Sequence, residues 1–269
     1  MIRFTNVCMM FHGRPVLKDF TMEVPSGHTV VILGGSGGGK TTVLRLILGL
    51  LRPDSGSIRV DGREIVGLPE RNMVAIRAHM AMVFQGSALF DSLTVRENVG
   101  YRLYEEQALP DDAIERKIVE SLCFVGLEDT LEKMPAELSG GMRKRVAIAR
   151  ALACSPEVIL YDEPTAGLDP INTHLINELI CRLQKEECLT QVVVTHDLDT
   201  AYRVADRLIM IHRGEKLFDG TLDMLKTADD PRIRTFLRPH EILATPGCFP
   251  DKDGGIRVVA PAMDEETPA

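Results

Sequence analysis

Tryptophan is absent and aromatic residues make up only 5% of the chain, so no indole reports on ligand binding. A membrane-spanning helix needs about 18 apolar residues in a row. The best stretch, residues 43–51, is short and broken by Arg45, which excludes a span. The start, Met1-Ile2-Arg3-Phe4, lacks the charged segment and apolar run of a secretory signal, and the expectation is a protein that stays where it is made. Six cysteines fall at irregular spacings with no C-x-x-C pair and no adjacent histidine. That pattern excludes a zinc site or disulfide framework and points to reduced cytosolic thiols. Basic residues are not in excess: 31 Lys and Arg against 39 Asp and Glu leave a net charge of −8, which disfavours nucleic acid as a partner. No internal repeat appears at periods of about 20 to 50 residues, which excludes a solenoid.

What is present is ordinary globular material: 269 residues, 45% hydrophobic and 26% charged, enough for one or two domains with a large core. Residues 29–33, 158–161 and 191–195 are β-branched runs that read as strands buried on both faces, each ending in a polar cluster. Leu175, Ile176, Leu179, Ile180 and Leu183 repeat as the stripe of a helix packed on a sheet. The pattern predicts an α/β fold with a parallel sheet. Ahead of it, residues 2–10 and 16–24 are strand-like and joined through His12-Gly13-Arg14-Pro15, which predicts a small antiparallel layer. From about 87 to 153 helical patterns replace strands, including 111–124 and 139–153, and predict an inserted helical subdomain. Residues 241–269 hold four prolines, six acids and two bases, half the net charge, and are expected to form an extended tail or an arm that orders on a partner.

Gly34-Gly35-Ser36-Gly37-Gly38-Gly39-Lys40-Thr41, followed by Thr42, satisfies G-x-x-x-x-G-K-[ST] between a buried strand and the helical run Val43 to Leu50. Glycines let successive N–H groups face phosphate oxygens, and the helix N-terminus adds its dipole. Lys40 then meets the β- and γ-phosphates and Thr41 ligates Mg²⁺, so residues 34–42 are the candidate nucleotide-binding set. Four apolar residues precede Asp162 and Glu163 at the carboxyl end of a strand, where open α/β sheets bind ligands. Taken alone, two acids after a strand would more often cap a helix. Beside a phosphate loop, Asp162 instead suits Mg²⁺ and Glu163 suits polarising the attacking water. Leu138-Ser139-Gly140-Gly141-Met142 opens a helix with Ser139 as N-cap and a bare N-terminus suited to an anion.

In order along the chain stand the phosphate loop, Gln85, Leu138-Ser139-Gly140-Gly141, Asp162-Glu163, Ala166-Gly167-Leu168-Asp169 and His196. This series, over residues 1 to about 226, resembles the nucleotide-binding domain of ATP-binding cassette (ABC) transporters. The resemblance implies a P-loop NTPase core of RecA-like type. It places Phe11 on adenine, Gln85 at Mg²⁺ and the lytic water, His196 at the γ-phosphate beside Glu163, and Asp169 at a dimer interface. It also implies a homodimer in which Ser139, Gly140 and Gly141 of one copy close over ATP held by the other.

The usual signature ends in Gln. Here Met142-Arg143-Lys144-Arg145 follows, and Leu138 through Arg145 looks like the Mla and Mce type of lipid transporters. Residues 84–99 and 230–237 resemble that branch as well. Its implied partners are an integral-membrane permease received by a groove near Leu89-Phe90, an Mce-domain lipid-binding protein, and a small STAS-type regulatory subunit met by the C-terminal arm. The implied place is the cytoplasmic face of a bacterial inner membrane. The alternatives are an ABC ATPase serving another solute and a non-transport ATPase of iron-sulfur-assembly type.

Overall fold

The computed structural model describes residues 2–237 and, beyond them, strands at 248–250 and 256–258. Two compact units divide the chain, Met1–Leu222 and Asp223–Ala269.

In the first unit, β1 (Ile2–Phe11) and β2 (Arg14–Val24) form an antiparallel hairpin. The expected four-residue connection is tighter than anticipated: His12 and Gly13 alone turn the chain, both with positive φ (49° and 76°), the geometry that matches strand twist. β4 (Ser55–Val60) pairs with β1, and the short β5 (Arg63–Glu64) completes a four-stranded sheet. Phe4 and Phe20 meet edge to face at 6.1 Å in its core.

The second sheet has the order β10-β9-β3-β8-β7-β6. Its strands β3 (Thr29–Leu33), β6 (Met80–Val83), β7 (Val158–Asp162), β8 (Thr190–Thr195) and β9 (Arg207–His212) run parallel, and β10 (Glu215–Gly220) turns back on β9. Every residue of β3, β7 and β8 is buried, as continuous β-branched runs require. One face, with Val30, Ile32, Leu160, Val192 and Val194, shares a core with the antiparallel sheet and with Val43, Leu44, Leu46 and Ile47 of α1 (Lys40–Ile47). Helices α6 (Pro170–Glu187) and α7 (Leu198–Val204) belong to the same unit. In α6, Ile176, Leu179, Ile180 and Leu183 of the predicted stripe are buried, whereas Leu175, also counted in that stripe, is exposed. The helix turns about 100° per residue, which carries that position past the edge of the apolar face.

After α2 (Glu70–Arg77) and β6, residues 87–153 contain α3 (Val95–Glu106), α4 (Asp111–Phe124) and α5 (Gly140–Ala153), packed on one another. A capping box starts α3: Thr94 Oγ1 accepts from Glu97 N, and Thr94 N donates to Glu97 Oε2 at 2.7 Å. The fully buried Asn98 holds the preceding loop. Its Nδ2 donates to the carbonyls of Phe90, Leu93 and Thr94 at 3.0 Å each, and its Oδ1 accepts from Phe90 N at 2.8 Å.

The division between the two units falls after Leu222. The β9–β10 hairpin is the last element bonded into the six-stranded sheet, so the sheet-forming unit ends with it. In the second unit, α8 (Leu222–Lys226) crosses the boundary, α9 (Pro231–Leu237) follows, and β11 (Cys248–Pro250) pairs antiparallel with β12 (Ile256–Val258). The expected extended tail therefore contains a strand pair; its other residues lie outside those described.

Asn98→Ala strips the 90–94 loop of four hydrogen bonds and takes from Phe90 N and Leu93 O their Asn98 partner, while Phe90 O keeps Leu93 N and Thr94 O keeps the backbone N–H of residue 98, at a cost of about 1–3 kcal/mol. The urea midpoint should fall accordingly at unchanged slope; an unmoved midpoint would show that Asn98 does not anchor the loop.

Candidate active site

β3 delivers the chain into the phosphate loop through a space only glycine fits. A Cβ at Gly34 would lie 2.4 Å from the Ile211 carbonyl oxygen of β9. One at Gly39 would lie 2.8 Å from Val16 O, and Gly39 has φ 96°, in the left-handed region. Gly39 caps α1 with no side-chain bond, so the first N–H groups of that helix are left to a ligand. Lys40 is buried, with Nζ donating to Gly34 O at 2.9 Å and Gly35 O at 3.1 Å. Ser36 is exposed, and Thr41 and Thr42 are half-buried at the start of the helix.

Parallel register brings the other elements level with this loop, pairing Leu33 with Thr195 and Asp162 with Val194. Thr41 Oγ1 donates to Asp162 Oδ1 at 3.1 Å. Burial pushes the Asp162 carboxyl above its usual range and the Glu163 charge adds to this, while Thr41 and Lys40 oppose it. Glu163 is buried with φ 48°, an uncommon conformation for a glutamate, and its N–H donates to Val194 O at 2.9 Å. Its Oε1 lies 3.4 Å from Lys40 Nζ. Its Oε2 accepts from Thr195 Oγ1 at 3.1 Å, from His196 N at 3.3 Å, and meets His196 Nδ1 at 2.9 Å. The carboxylate assigns the hydrogen to Nδ1 and leaves Nε2 as the ring atom available to a ligand.

For Mg²⁺, one hydroxyl and one carboxylate in direct contact form a hard-oxygen pair, which fits an ion that takes its other ligands from phosphate and water. Among the described residues no cluster of three or more His, Cys, Asp or Glu could hold a metal by itself. Thr41 and Asp162 are thus together. Gln85 is exposed just after β6, and its backbone carbonyl, not its amide, makes a contact, accepting from Lys144 Nζ. Phe11 is exposed at the β1–β2 tip, a hairpin that approaches the phosphate loop through Val16.

Ser139, Gly140 and Gly141 form a second cluster. Ser139 is exposed and its Oγ accepts from Met142 N at 3.2 Å, capping α5. A Cβ at Gly141 would lie 2.1 Å from Asn172 Oδ1, and one at Gly140 would lie 3.7 Å from a Leu168 methyl. Asp169 caps α6 through Ile171 N and Asn172 N at 3.0 Å each and bonds the Asn172 amide. The signature and the Asp169 loop therefore sit together, on elements other than those holding Lys40 and Glu163.

Sequence reasoning missed Lys144, Arg150 and Thr195. The signal for Lys144 was available: it lies three residues from Gly141 and four from Ile148, on the buried face of a helix that is otherwise small and apolar.

The family model for ABC transporters matches residues 17–166 of this chain. The intermembrane phospholipid transport system ATP-binding protein MlaF of Haemophilus influenzae is 36% identical over 264 residues, 98% of this chain and 96% of that one. The "Probable ribonucleotide transport ATP-binding protein mkl" of Mycobacterium tuberculosis is 36% identical over 241 residues, 90% of this chain and 67% of that one. A dimeric structure of a post-hydrolysis state of the ATP-binding cassette MJ0796, bound to ADP and Pi, matches with TM-score 0.75 and 34% identity over 82% of this chain and 99% of that one.

Replacing Glu163 with Gln keeps the shape of the carboxylate but removes its basicity. Turnover should fall by roughly 10²- to 10⁴-fold, the worth of a positioned acid or base, while binding of a fluorescently labelled ATP persists. Near-normal turnover would remove Glu163 from that role.

Proposed function

The chain belongs to the ABC transporter ATP-binding family, and from that membership we propose that it energises movement of phospholipid between membranes. It is an ATPase that binds ATP, with Mg²⁺ as the accompanying ion, and couples hydrolysis to transport. The observation that carries the catalytic assignment is the contact set of Glu163, shared between Lys40 on one oxygen and Thr195 and His196 on the other. Phosphate oxygens of ATP compete for Lys40 and withdraw it from Oε1. That oxygen then accepts a hydrogen bond from the attacking water while Thr195 and His196 keep holding Oε2. Thr41 and Asp162 would hold Mg²⁺, which would supply neutralisation of charge on the phosphates.

Where the residues lie supports the pairing of two copies. Ser139 and Gly140 are exposed and grouped with Leu168 and Asp169, so they suit closure over the ATP of a partner copy, with Phe11 on its own adenine and Gln85 at the water. Met142 has no amide to donate, so any contact there is weaker than a Gln would make. ATP adds contacts available only in the closed pair, and hydrolysis removes them, which biases a two-state equilibrium.

The lipid reading rests on Leu138 through Arg145 and on the nearly full-length match to MlaF. The exposed Phe90 stacks at 4.6 Å on Tyr101, also exposed, and gives an apolar surface for a permease helix at the expected groove. No helix among the described residues is long and apolar enough to cross a membrane, so attachment at the cytoplasmic face of a bacterial inner membrane runs through that permease. An Mce-domain protein and a STAS-type subunit complete the proposed assembly, the latter met by residues 241–269. A second reading, transport of another solute, is favoured by the equal identity to mkl.

Ser139→Arg should abolish turnover without weakening ATP binding to the monomer; loss of monomer binding would instead give Ser139 a role in the fold. The tagged protein should co-purify from native membranes in mild detergent with a permease, an Mce-domain protein and enriched phospholipid, as read by mass spectrometry. Recovery of an unrelated permease would move the function to the other solute, and recovery from the soluble fraction alone would remove transport.

A further inference from the structure

We infer that Lys144 is a positioning residue for ATP hydrolysis, fixing from the signature helix the backbone of both Gln85 and Glu163. The inference rests on the ATPase reading above and adds a residue to it.

Lys144 is only 5% exposed, on a face of α5 that also buries Gly141, Ile148 and Ala151. A lysine ammonium is costly to bury and is retained there only with partners. Its partners are two main-chain carbonyls: Nζ donates to Gln85 O and, at 3.3 Å, to Glu163 O. The side chains of those two residues are the candidate water-handling groups. Burial lowers the Lys144 pKa, and the charges of Asp162 and Glu163 pull it back up.

Glu163 needs such support. Its backbone sits at φ 48°, and the peptide around it is held by its N–H on Val194 O and by its carbonyl, which accepts from Lys144 and from Ala166 N at 3.2 Å. The segment after Gln85 is held by the same helix at a second point. Arg150 donates to Ser87 O at 3.0 Å and Ala88 O at 2.7 Å, and both of those residues have positive φ. Only Lys144 also reaches Glu163. One ammonium thus joins the helix that opens with Ser139-Gly140-Gly141 to both groups facing the attacking water, and a displacement of α5 moves them together.

Steady-state ATPase of the full chain in its membrane complex tests this with Lys144→Met, Lys144→Gln and Lys144→Arg, each rate normalised to sites titrated with labelled nucleotide. Lys144→Met should lower kcat roughly 10- to 100-fold, the effect of a misplacement on the ångström scale, with KM for ATP within about threefold. Lys144→Arg, which keeps charge and donors, should recover most of the rate, and Lys144→Gln, with donors alone, should fall between. A kcat for Lys144→Met within about twofold of the parent would overturn the inference, as would a parallel loss in all three variants that follows their folded fraction. Should the Met variant not fold, an undiminished kcat for Lys144→Gln overturns it equally. Glu163→Gln measured alongside separates the two readings: a normal rate there removes the catalytic assignment, whereas a slow Glu163→Gln with a normal Lys144→Met removes only Lys144.

Discussion

Parallel pairing of β3, β8 and β7 sets Leu33 against Thr195 and Asp162 against Val194, and the chemistry of the chain depends on that register. Each strand advances about 3.3 Å per residue, so the phosphate loop, Asp162-Glu163 and His196 leave the sheet within roughly one residue of the same height. A slip of one residue in β7 would turn Asp162 to the opposite face and separate it from Thr41. The register is secured because all three strands are buried on both faces, where a slip exposes or crowds every side chain at once.

Around that register the site concentrates charge in a dry place. Two carboxylates, Asp162 and Glu163, are flanked by two ammonium groups, Lys40 from the phosphate loop and Lys144 from the signature helix, and all four are buried. The opposite pKa displacements of Asp162 and Lys144 have one cause, burial, which disfavours the charged form of either sign. Such a cluster is poor value as a stabiliser, since desolvation cancels much of the attraction. It is well suited to a site in which an incoming polyanion redistributes the partners of one lysine.

Much of this was legible in the chain itself. The buried strands declared themselves through unbroken β-branched runs, and the phosphate loop through glycines between a strand and a helix. The geometry pairs Thr41 with Asp162 and sets Lys40 and His196 on the two oxygens of Glu163. Three features were not read. The left-handed backbone of Glu163 has no sequence signature, because local preference argues against it and tertiary contacts impose it. Lys144 was passed over as part of a basic run, although its helical phase put it on the buried face. The strand pair in the tail was hidden by composition: acids and prolines dominate the average, yet Asp253-Gly254-Gly255 between Cys248-Phe249-Pro250 and Ile256-Arg257-Val258 are turn residue types between strand-forming ones.

Asn98 grips the 90–94 loop only by its main chain, through three carbonyls and one N–H. Of the side chains along that loop, Thr94 caps α3 and Phe90 packs on Tyr101, whereas the exposed Asp91 and Ser92 take no part in the grip of Asn98. Selection can therefore exchange the surface residues at positions 91 and 92 for others without altering the path of the backbone beneath them. A scaffold built this way separates shape from identity: lineages that share this asparagine can diverge in what they recognise while presenting it at the same spot.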